Sequence, residues 1–365
     1  MKKTRIIGLA ALAALWAALT LCAWFGPAKE ISESERRKLA QFPKLTVKTV
    51  LDGKFMTEFE EYTLDQFPLR DTFRQVKALF HYNALGQKDN NDIYIADGYA
   101  AELEYPMNET SVSGATQKFR NIYEKYLSES SKILVSVVPD KGYHLAQEYG
   151  YPAMDYEALF ASVREGMPWA EFVDIADLLT VEDYYFTDTH WRQERIGKVA
   201  ERLCEALGVD SFAEGELTPE LVERPFYGVY YGQAALPMDS EELYVMSGDV
   251  LDGCTVYNHE TGKTTGIYDW DKLSSRDLYD VYLSGASALL TIDNPNAASD
   301  KELVVFRDSF GSSLVPLLVK DYKTVTVVDI RYIASDYVGS YVDFHGQDVL
   351  FIYSSLILNS SNTLK

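Results

Sequence analysis

The sequence predicts an α/β fold built on a mostly parallel sheet, with helices covering both faces. Short, almost wholly apolar runs recur along the chain, each bounded by turn residues: 133–138, 288–292, 303–306, 325–328 and 349–353. Strands that are buried on both faces have this continuous apolar pattern. Segments with helical apolar spacing, such as 115–127 and 196–207, lie between the runs. This alternation is typical of a parallel sheet between two helical layers.

The N-terminal segment has the composition of a membrane helix. Residues 6–25 are uncharged and almost wholly apolar, and about twenty helical residues span the roughly 30 Å core of a bilayer. Lys2, Lys3 and Arg5 precede the run, which predicts a cytoplasmic N-terminus. Because no clear small-x-small cleavage site follows, we expect residues 1–29 to be an uncleaved signal anchor. A cleaved signal peptide, giving a secreted protein, and a buried core helix are the alternatives.

The remaining chain divides by composition into two further parts. Residues 30–92 predict a polar linker followed by helices, with a break near Phe67-Pro68. Residues 93–365 are expected to form the α/β domain. Within that domain, the stretch from about 209 to 284 is rich in Tyr, Gly and Thr and contains short alternating runs. This pattern indicates a β-rich insertion.

Charge and cysteine usage exclude several classes of protein. The 365-residue chain has a net charge of -21, which disfavours nucleic acid and an anionic membrane surface as partners. Cys22, Cys204 and Cys254 lack the spacing of a metal site. Cys204 lies on the apolar face of a predicted helix and is expected to be a buried free thiol, with a Cys204–Cys254 disulfide as the alternative. The sequence predicts no metal and no cofactor, since nucleotide-binding fingerprints are also missing from it.

A candidate nucleophile follows the apolar run 303–306. The run breaks at residues 307–311 and resumes as a predicted helix, which places Ser309 on a strand-to-helix turn. A serine there is exposed at the sheet edge, and the first amides of the helix point to the same place. This arrangement suits a nucleophile whose transition state carries an oxyanion. Lys141 also follows a predicted strand, so we expect it at the same edge.

A candidate base lies in the segment Asp188-Thr189-His190-Trp191. A serine hydroxyl needs a base to accept its proton, and histidine is the usual one near neutral pH. In an extended segment the side chains of Asp188 and His190 point to the same side, so the carboxylate can orient the imidazole. The spacing alone is also common on ordinary surfaces. The neighbouring aromatic residues, which include Tyr185 and Trp191, either form a cleft wall or pack in the core.

Together the two stretches resemble the DHHW protein family and the related alginate O-acetyltransferase group of SGNH-hydrolase-like proteins. The likeness runs from about Glu35 to Tyr353. It includes three more segments: Asp65-Gln66-Phe67-Pro68-Leu69-Arg70-Asp71, Val138-Pro139-Asp140-Lys141 and Val328-Asp329-Ile330-Arg331-Tyr332. In the family, as here, the Asp/His pair precedes the serine, a permuted order for SGNH enzymes. The resemblance implies a three-layer α/β/α sandwich, SGNH-hydrolase-like with permuted motif order.

The resemblance also implies a site and an activity. Ser309 would be the nucleophile, His190 the base and Asp188 the residue that orients it, while Asp308 would be structural. The implied activity is O-acetyl transfer to a cell-surface or exported polysaccharide by a membrane-anchored, extracytoplasmic enzyme. A separate membrane-embedded protein would supply the acyl group. The alternatives are a carbohydrate acetylesterase with the same triad and a non-catalytic glycan-binding or scaffold protein.

The chain departs from the family pattern at three places. Arg307 replaces the glycine of Gly-Asp-Ser, Thr189 replaces the second residue of Asp-His-His-Trp, and Gly285-Ala286 stands where an oxyanion asparagine is expected. Losing one oxyanion donor typically costs about 10²–10³ in rate, which favours the non-catalytic alternative. The backbone at Phe310 and Gly285 is the expected substitute donor. Four side chains are expected to contact substrate: Lys141, Tyr185, Trp191 and Arg307.

Overall fold

A computed structural model describes residues 2–32, 34–127 and 132–365 of the chain. These residues divide into two compact units. Unit 1 comprises Met1–Asn91 and Tyr231–Met238, and unit 2 comprises Asp92–Tyr230 and Asp239–Lys365. A short part of the predicted insertion therefore belongs to unit 1.

Unit 1 is helical and begins with the long apolar helix Lys2–Phe25. Within the described ranges, its Thr4–Phe25 portion is the one helix long and apolar enough to cross a membrane, with a mean hydropathy of 2.3. A two-residue hairpin pairs Ile31–Ser32 with Arg37–Lys38. Three more helices follow: Val47–Leu51, Lys54–Asp65 and Arg70–Ala84. The predicted break near Phe67-Pro68 separates the last two helices and is confirmed.

Unit 2 is built on an eight-stranded sheet. We number its strands in chain order: β1 (Ile133–Val138), β2 (Glu171–Phe172), β3 (Thr255–Asn258), β4 (Lys263–Thr265), β5 (Leu289–Asp293), β6 (Lys301–Arg307), β7 (Tyr322–Val328) and β8 (Asp348–Ser354). Their spatial order is β4-β3-β5-β7-β6-β8-β1-β2. Two antiparallel hairpins lie outside this sheet: Ile93–Ala96 with Tyr99–Glu102, and Thr218–Phe226 with Glu241–Ser247.

The sheet is mixed. From β7 through β6, β8 and β1 to β2 every neighbouring pair is parallel, as predicted. The run 288–292 is a strand, β5, but it pairs antiparallel with β7, and β3 and β4 continue the sheet antiparallel from there. The sequence predicted a mostly parallel sheet but did not identify β5 as antiparallel, because a strand buried on both faces has the same apolar pattern in either direction. The predicted insertion therefore contributes the hairpin 218–247 and part of the main sheet.

Apolar cores cover both faces of the sheet. Along β6, Leu303 and Val305 pack into one core with Leu203 of the helix Gly197–Leu207. Val304 and Phe306 pack into the other core. Alternate residues of a strand point to opposite faces, so this division shows three layers, and the predicted α/β/α sandwich is confirmed. The helices of unit 2 are Glu109–Tyr126, Lys141–Tyr149, Tyr156–Gly166, Gly197–Leu207, Asp249–Gly253, Phe310–Leu314 and Ser355–Asn359. A further helix, Val229–Ala234, begins in unit 2 and ends in unit 1.

The cysteines are free thiols. Cys204 and Cys254 are both buried in the same apolar core, and no bond joins them. Burial raises the pKa of Cys204 to about 12 and that of Cys254 to about 11, which keeps both thiols protonated and unreactive. The predicted free thiol at Cys204 is confirmed, and the alternative disulfide is not formed.

Candidate functional site

The predicted site residues lie at the carboxyl edge of the parallel strands. Lys141 comes after β1, and Ser309 comes after β6. Tyr184 opens the segment that carries Asp188 and His190, and its hydroxyl donates to the carbonyl of Pro139 at 2.6 Å. The segment therefore crosses the end of β1. Parallel strands present their carboxyl ends at one edge, which is where such sheets hold their sites.

Asp188 and His190 form a buried hydrogen-bonded pair. The Nδ1 atom of His190 lies 2.5 Å from Oδ1 of Asp188. The same oxygen accepts the backbone N–H of His190 at 3.1 Å, and Oδ2 accepts the backbone N–H of Val229 at 2.8 Å. A carboxylate fixed by two backbone donors holds the imidazole with Nδ1 protonated, which leaves Nε2 as the basic nitrogen.

The imidazole is also held by aromatic rings. The ring of Tyr279 stacks on His190 with the centroids 3.9 Å apart and the planes inclined by 8°. The ring of Phe310 lies on another side at 5.0 Å. Among the residues that the structure describes, Nε2 of His190 has no hydrogen-bond partner. The Nε2 atom of His190 is thus buried, fixed in orientation and next to Phe310, the residue that follows Ser309.

Ser309 lies on the predicted strand-to-helix turn. Strand β6 ends at Arg307, and the helix Phe310–Leu314 starts directly after the serine. Ser309 is partly exposed, whereas Asp308 and Phe310 are buried. Because Nε2 of His190 is unpartnered, the Ser309–His190 hydrogen bond is not formed in this structure. Catalytic hydrogen bonds are often long without substrate and shorten in the complex.

Direct hydrogen bonds join the two predicted stretches. The indole Nε1 of Trp191 donates to the carbonyl of Phe310 at 3.1 Å and lies 3.0 Å from the hydroxyl of Ser313. The Gln193 amide donates to the carbonyl of Ser313 at 2.7 Å. The Tyr279 hydroxyl lies 2.8 Å from Ser313 Oγ. The helix that begins after Ser309 is thus fixed to the segment that carries His190.

Asp308 is a structural residue of the turn, as predicted. Its Oδ1 accepts the backbone N–H of Phe310 at 3.0 Å, and its Oδ2 accepts that of Ser354 at 2.7 Å. The Phe310 amide is therefore occupied. The Gly285 amide donates to the carbonyl of Tyr282 at 3.0 Å. Both expected oxyanion donors are thus engaged within the protein, and the structure does not support that expectation.

The four expected substrate contacts are buried side chains. Lys141, Tyr185, Trp191 and Arg307 are each at most 2% exposed, so none of them lines an open surface. Arg307 donates to the carbonyls of Asp308 and Gly285, both at 3.3 Å, and lies 3.5 Å from the carboxylate of Asp329. Arg307 therefore stabilises the turn that carries Ser309 from within the core, and the carboxylate of Asp329 compensates the charge of Arg307.

Lys141 has a structural partner that the sequence did not reveal. Its Nζ donates to the carbonyls of Tyr185 and Asp188 at 2.8 and 2.7 Å. On the same turn, the Glu241 carboxylate accepts the amides of Phe186 and Thr187, both at 2.8 Å, and also the Thr187 hydroxyl. A buried amine thus holds the carbonyls of residues 185 and 188, and a buried carboxylate holds the amides of residues 186 and 187. We call these residues the 185–188 turn.

Burial changes the titration of both groups that hold this turn. It lowers the pKa of Lys141 to about 7, against the opposing attraction of Glu241 and Asp188. It also raises the pKa of Glu241, although the hydrogen bonds from Thr187 and Phe186 oppose the shift. Charged groups are expensive to bury unless they are paired and hydrogen-bonded, and here each carries several hydrogen bonds.

Gly228 allows the chain to approach Asp188 closely. Its backbone N–H donates to the Thr187 hydroxyl at 2.8 Å, and a Cβ added to Gly228 would lie 2.3 Å from Asp188 Cα. We expect Gly228→Ala to lower the free energy of unfolding by about 2–3 kcal/mol, because one of two backbones must shift. Denaturant unfolding measures this loss. Gly197→Ala is the control, since nothing lies within 4 Å of its added Cβ, and equal stability of both variants would contradict the close approach.

Glu102 predicts a pH dependence of stability. Its Oε2 lies 3.2 Å from the Tyr230 hydroxyl, which is 3.0 Å from Oγ1 of Thr189. Burial, with repulsion from Glu104, raises the pKa of Glu102 to about 7. Because the folded pKa exceeds the unfolded one, the protonated carboxyl stabilises the fold fully below the unfolded pKa of about 4.5. That contribution is lost as pH rises to 7.

The test compares unfolding of wild type and Glu102→Gln between pH 4 and pH 8. We expect the wild type to lose up to about 3 kcal/mol relative to the variant across this range. The exposed Glu148→Gln is the control and should follow the wild type. If the free energies of unfolding of wild type and Glu102→Gln stay parallel between pH 4 and pH 8, Glu102 titrates normally.

Fold and site together define a class: an α/β/α sandwich in which an Asp-x-His pair precedes a serine at the end of a parallel strand. Residues 180–328 match the family model described as DHHW protein. No curated protein matches the chain.

Solved structures share the fold. A DHHW family protein from Eubacterium siraeum DSM 15702 has a TM-score of 0.62 and 21% identity, covering 75% of this chain and 94% of its own. Bacillus cereus PatB1, solved with a sulfonyl adduct, has a TM-score of 0.58 and 15% identity, covering 73% of this chain and 97% of its own. The O-acetyltransferase domain of Pseudomonas putida AlgJ has a TM-score of 0.46 and 13% identity, covering 73% and 92%. The first two show a common fold, and the third likeness is too distant to support a conclusion.

Proposed function

We propose that this chain is an extracytoplasmic O-acyltransferase that passes an acetyl group through Ser309 to a hydroxyl of a cell-surface or exported polysaccharide. The observation that carries the proposal is the oriented Asp188–His190 pair, whose unpartnered Nε2 is buried beside the turn of Ser309. Asp188, His190 and Ser309 all lie within residues 180–328, the part of the chain that matches the DHHW family model.

In the proposed reaction, Ser309 Oγ attacks the acyl carbonyl while Nε2 of His190 takes its proton. Asp188 stabilises the imidazolium through Nδ1. Collapse of the tetrahedral intermediate leaves an acyl ester on Ser309, and His190 returns the proton to the leaving group. The sugar hydroxyl then attacks the ester, His190 takes the proton of that hydroxyl, and Ser309 receives it as it leaves. The net result is transfer of one acyl group between two oxygens.

The N-terminal helix supports the proposed location. Thr4–Phe25 is apolar and long enough to span a bilayer, and the preceding basic residues favour a cytoplasmic N-terminus. We propose that this helix anchors the chain, with unit 2 and the part of unit 1 that follows the span outside the cytoplasm. The acyl donor would be presented by a separate membrane-embedded protein, and the acceptor would be a glycan.

A non-catalytic glycan-binding or scaffold protein is the second candidate. The occupied amides of Phe310 and Gly285 favour it, because an acyltransferase needs free donors for its oxyanion. An acetylesterase would use the same triad with water as acceptor. These candidates differ in whether Ser309 is acylated and in what removes the acyl group.

The test treats the detergent-solubilised full chain with a sulfonyl fluoride or an activated acetyl ester and measures intact mass. We expect a single adduct on Ser309 that is absent from Ser309→Ala and His190→Ala. Ser312→Ala, in the same helix, is the matched control and should still be labelled. A folded chain that acquires no adduct would contradict the triad and favour the binding protein. With an adduct, acetyl transfer to an added oligosaccharide identifies a transferase, and release of acetate alone identifies an esterase.

A further inference from the structure

The described surface of unit 1 exposes many apolar side chains. Thirteen large hydrophobic residues between positions 42 and 85 are exposed: Phe42, Leu45, Val47, Val50, Leu51, Met56, Leu64, Leu69, Phe73, Val76, Leu79, Phe80 and Leu85. In the described part of unit 2, which is much longer, Leu221 is the one exposed aliphatic residue of this kind, and the others are Tyr or Trp. Contiguous exposed apolar surface marks an interaction site.

The helix Arg70–Ala84 shows how this surface is arranged. Four apolar residues lie on one face of this helix: Leu69, Phe73, Val76 and Phe80. Their side chains are 66%, 47%, 58% and 57% exposed, respectively. On the opposite face Ala78 is fully buried, and Arg74 donates to the carbonyl of Gly232 at 2.9 Å. In a water-soluble domain the apolar stripe of such a helix faces inward. Here the stripe, which we call the 69–80 stripe, faces outward.

Hydrogen bonds within unit 1 join the chain just after the candidate membrane span to these helices. Lys29 is four residues beyond Phe25, and its backbone N–H donates to Gln66 Oε1 at 2.8 Å. The Gln66 amide donates back to the carbonyl of Lys29 at 2.8 Å. A groove of about 560 Å³ lies between the span and the helix Lys54–Asp65, and its lining is mostly apolar, including Trp16, Leu19, Trp24, Phe42, Phe59 and Phe67.

The local charge near the span is opposite to that of the whole chain. Residues 36–54 contain six basic residues and one acidic residue, Asp52, although the chain as a whole carries -21. Basic side chains next to a membrane span attract anionic lipid headgroups. The net charge of the whole chain therefore does not exclude an anionic membrane surface as the partner of this segment.

We propose that the helices Val47–Leu51, Lys54–Asp65 and Arg70–Ala84 form an interfacial platform on the leaflet at the Phe25 end of the bilayer that Thr4–Phe25 spans. The 69–80 stripe would contact the acyl chains of anionic lipids, and the exposed Lys38, Lys44 and Lys48 would contact their headgroups. Arg37 and Lys54 instead pair with Asp65 and Glu58 within unit 1. Interfacial helices bury their apolar faces about 5–10 Å into the boundary between headgroups and acyl chains. This inference rests on the proposed membrane anchoring and is independent of the triad.

The test uses the full chain with Cys22→Ala in nanodiscs of phosphatidylglycerol and phosphatidylcholine. An environment-sensitive fluorophore is attached at Val76→Cys or, as the matched control on the same helix, at Gln75→Cys. Cys204 and Cys254 are buried and stay unlabelled in the folded chain. A doxyl lipid with its quencher near the headgroups should quench the Val76 label at least about threefold more than the Gln75 label. Circular dichroism checks that both labelled chains are folded.

Each other outcome overturns the platform. If a water-soluble quencher quenches both labels equally and the doxyl lipid quenches neither, the 69–80 stripe lies in water. Protection of the Val76 label from both quenchers would show that a partner protein or a second copy covers the stripe. If alkaline carbonate extracts the chain from membranes, the anchoring itself fails along with the platform. A water-exposed stripe on a chain that resists extraction would contradict the platform alone.

Discussion

Asp188→Asn is expected to slow acylation of Ser309 by about 10⁴-fold, the scale of loss when a triad aspartate becomes an amide. Asp188 Oδ1 accepts from Nδ1 of His190 and Oδ2 accepts from the Val229 amide. An asparagine offers one acceptor oxygen, so its NH₂ group faces either a donor or the imidazole. The imidazole is then held in the wrong tautomer, with Nε2 protonated. The rate of adduct formation with the activated acetyl ester measures the effect.

The control for this variant is Glu182→Gln, a charge-neutralising change in the same segment. Glu182 is exposed and lies 3.9 Å from Arg195, away from the triad, so its variant should be acylated at the wild-type rate. Denaturant unfolding establishes that Asp188→Asn remains folded. An unchanged acylation rate in folded Asp188→Asn would exclude Asp188 from the role of orienting residue.

Lys141→Met is expected to lower both stability and acylation. The variant leaves the buried carbonyls of Tyr185 and Asp188 without their donor. Each unpaired buried polar group costs about 1–3 kcal/mol, so the two carbonyls together predict a loss of about 2–6 kcal/mol at pH 8. Because the 185–188 turn carries Asp188, acylation should slow as well. Lys198→Met, at an exposed position on the helix Gly197–Leu207, is the control and should change neither property.

The lowered pKa of Lys141 gives this variant a second readout. The folded pKa of about 7 lies below the ordinary value of 10.5, so the unfolded chain binds more protons between these values. The cost of burying the charged amine is complete below pH 7 and is relieved as pH rises toward 10.5. Stability of the wild type should therefore rise with pH across this window relative to Lys141→Met. If the free energies of unfolding of wild type and Lys141→Met change in parallel with pH, Lys141 titrates normally. If the variant loses stability but is acylated at the wild-type rate, Lys141 has a structural role alone.

Local spacing was sufficient to predict some of the site. Asp188 and His190 are two residues apart, and the sequence predicted that they meet. The predicted extended segment is wrong, however, because residues 186–190 form bends between the bridged residues Tyr184 and Trp191. The bend brings the Asp188 carboxylate to both the backbone N–H and the ring of His190. Ser309 follows directly on an apolar strand, which placed it at the sheet edge. The same reasoning located Lys141 but assigned it to substrate. Its hydrogen-bond partners lie more than 40 residues along the chain, and no local pattern indicates them.

The sequence by itself determined the layers of the sandwich, the order of the site segments, the apolar N-terminal helix and the Asp188–His190 contact, because each depends on periodicity or on neighbours along the chain. Only the tertiary structure decided the antiparallel direction of β5, the stacking of Tyr279 on His190, and the place of Glu241 beneath the 185–188 turn. These features join residues far apart in sequence. Burial gives the same apolar pattern to strands of either direction, and a single tyrosine or glutamate has no periodicity that identifies its partner.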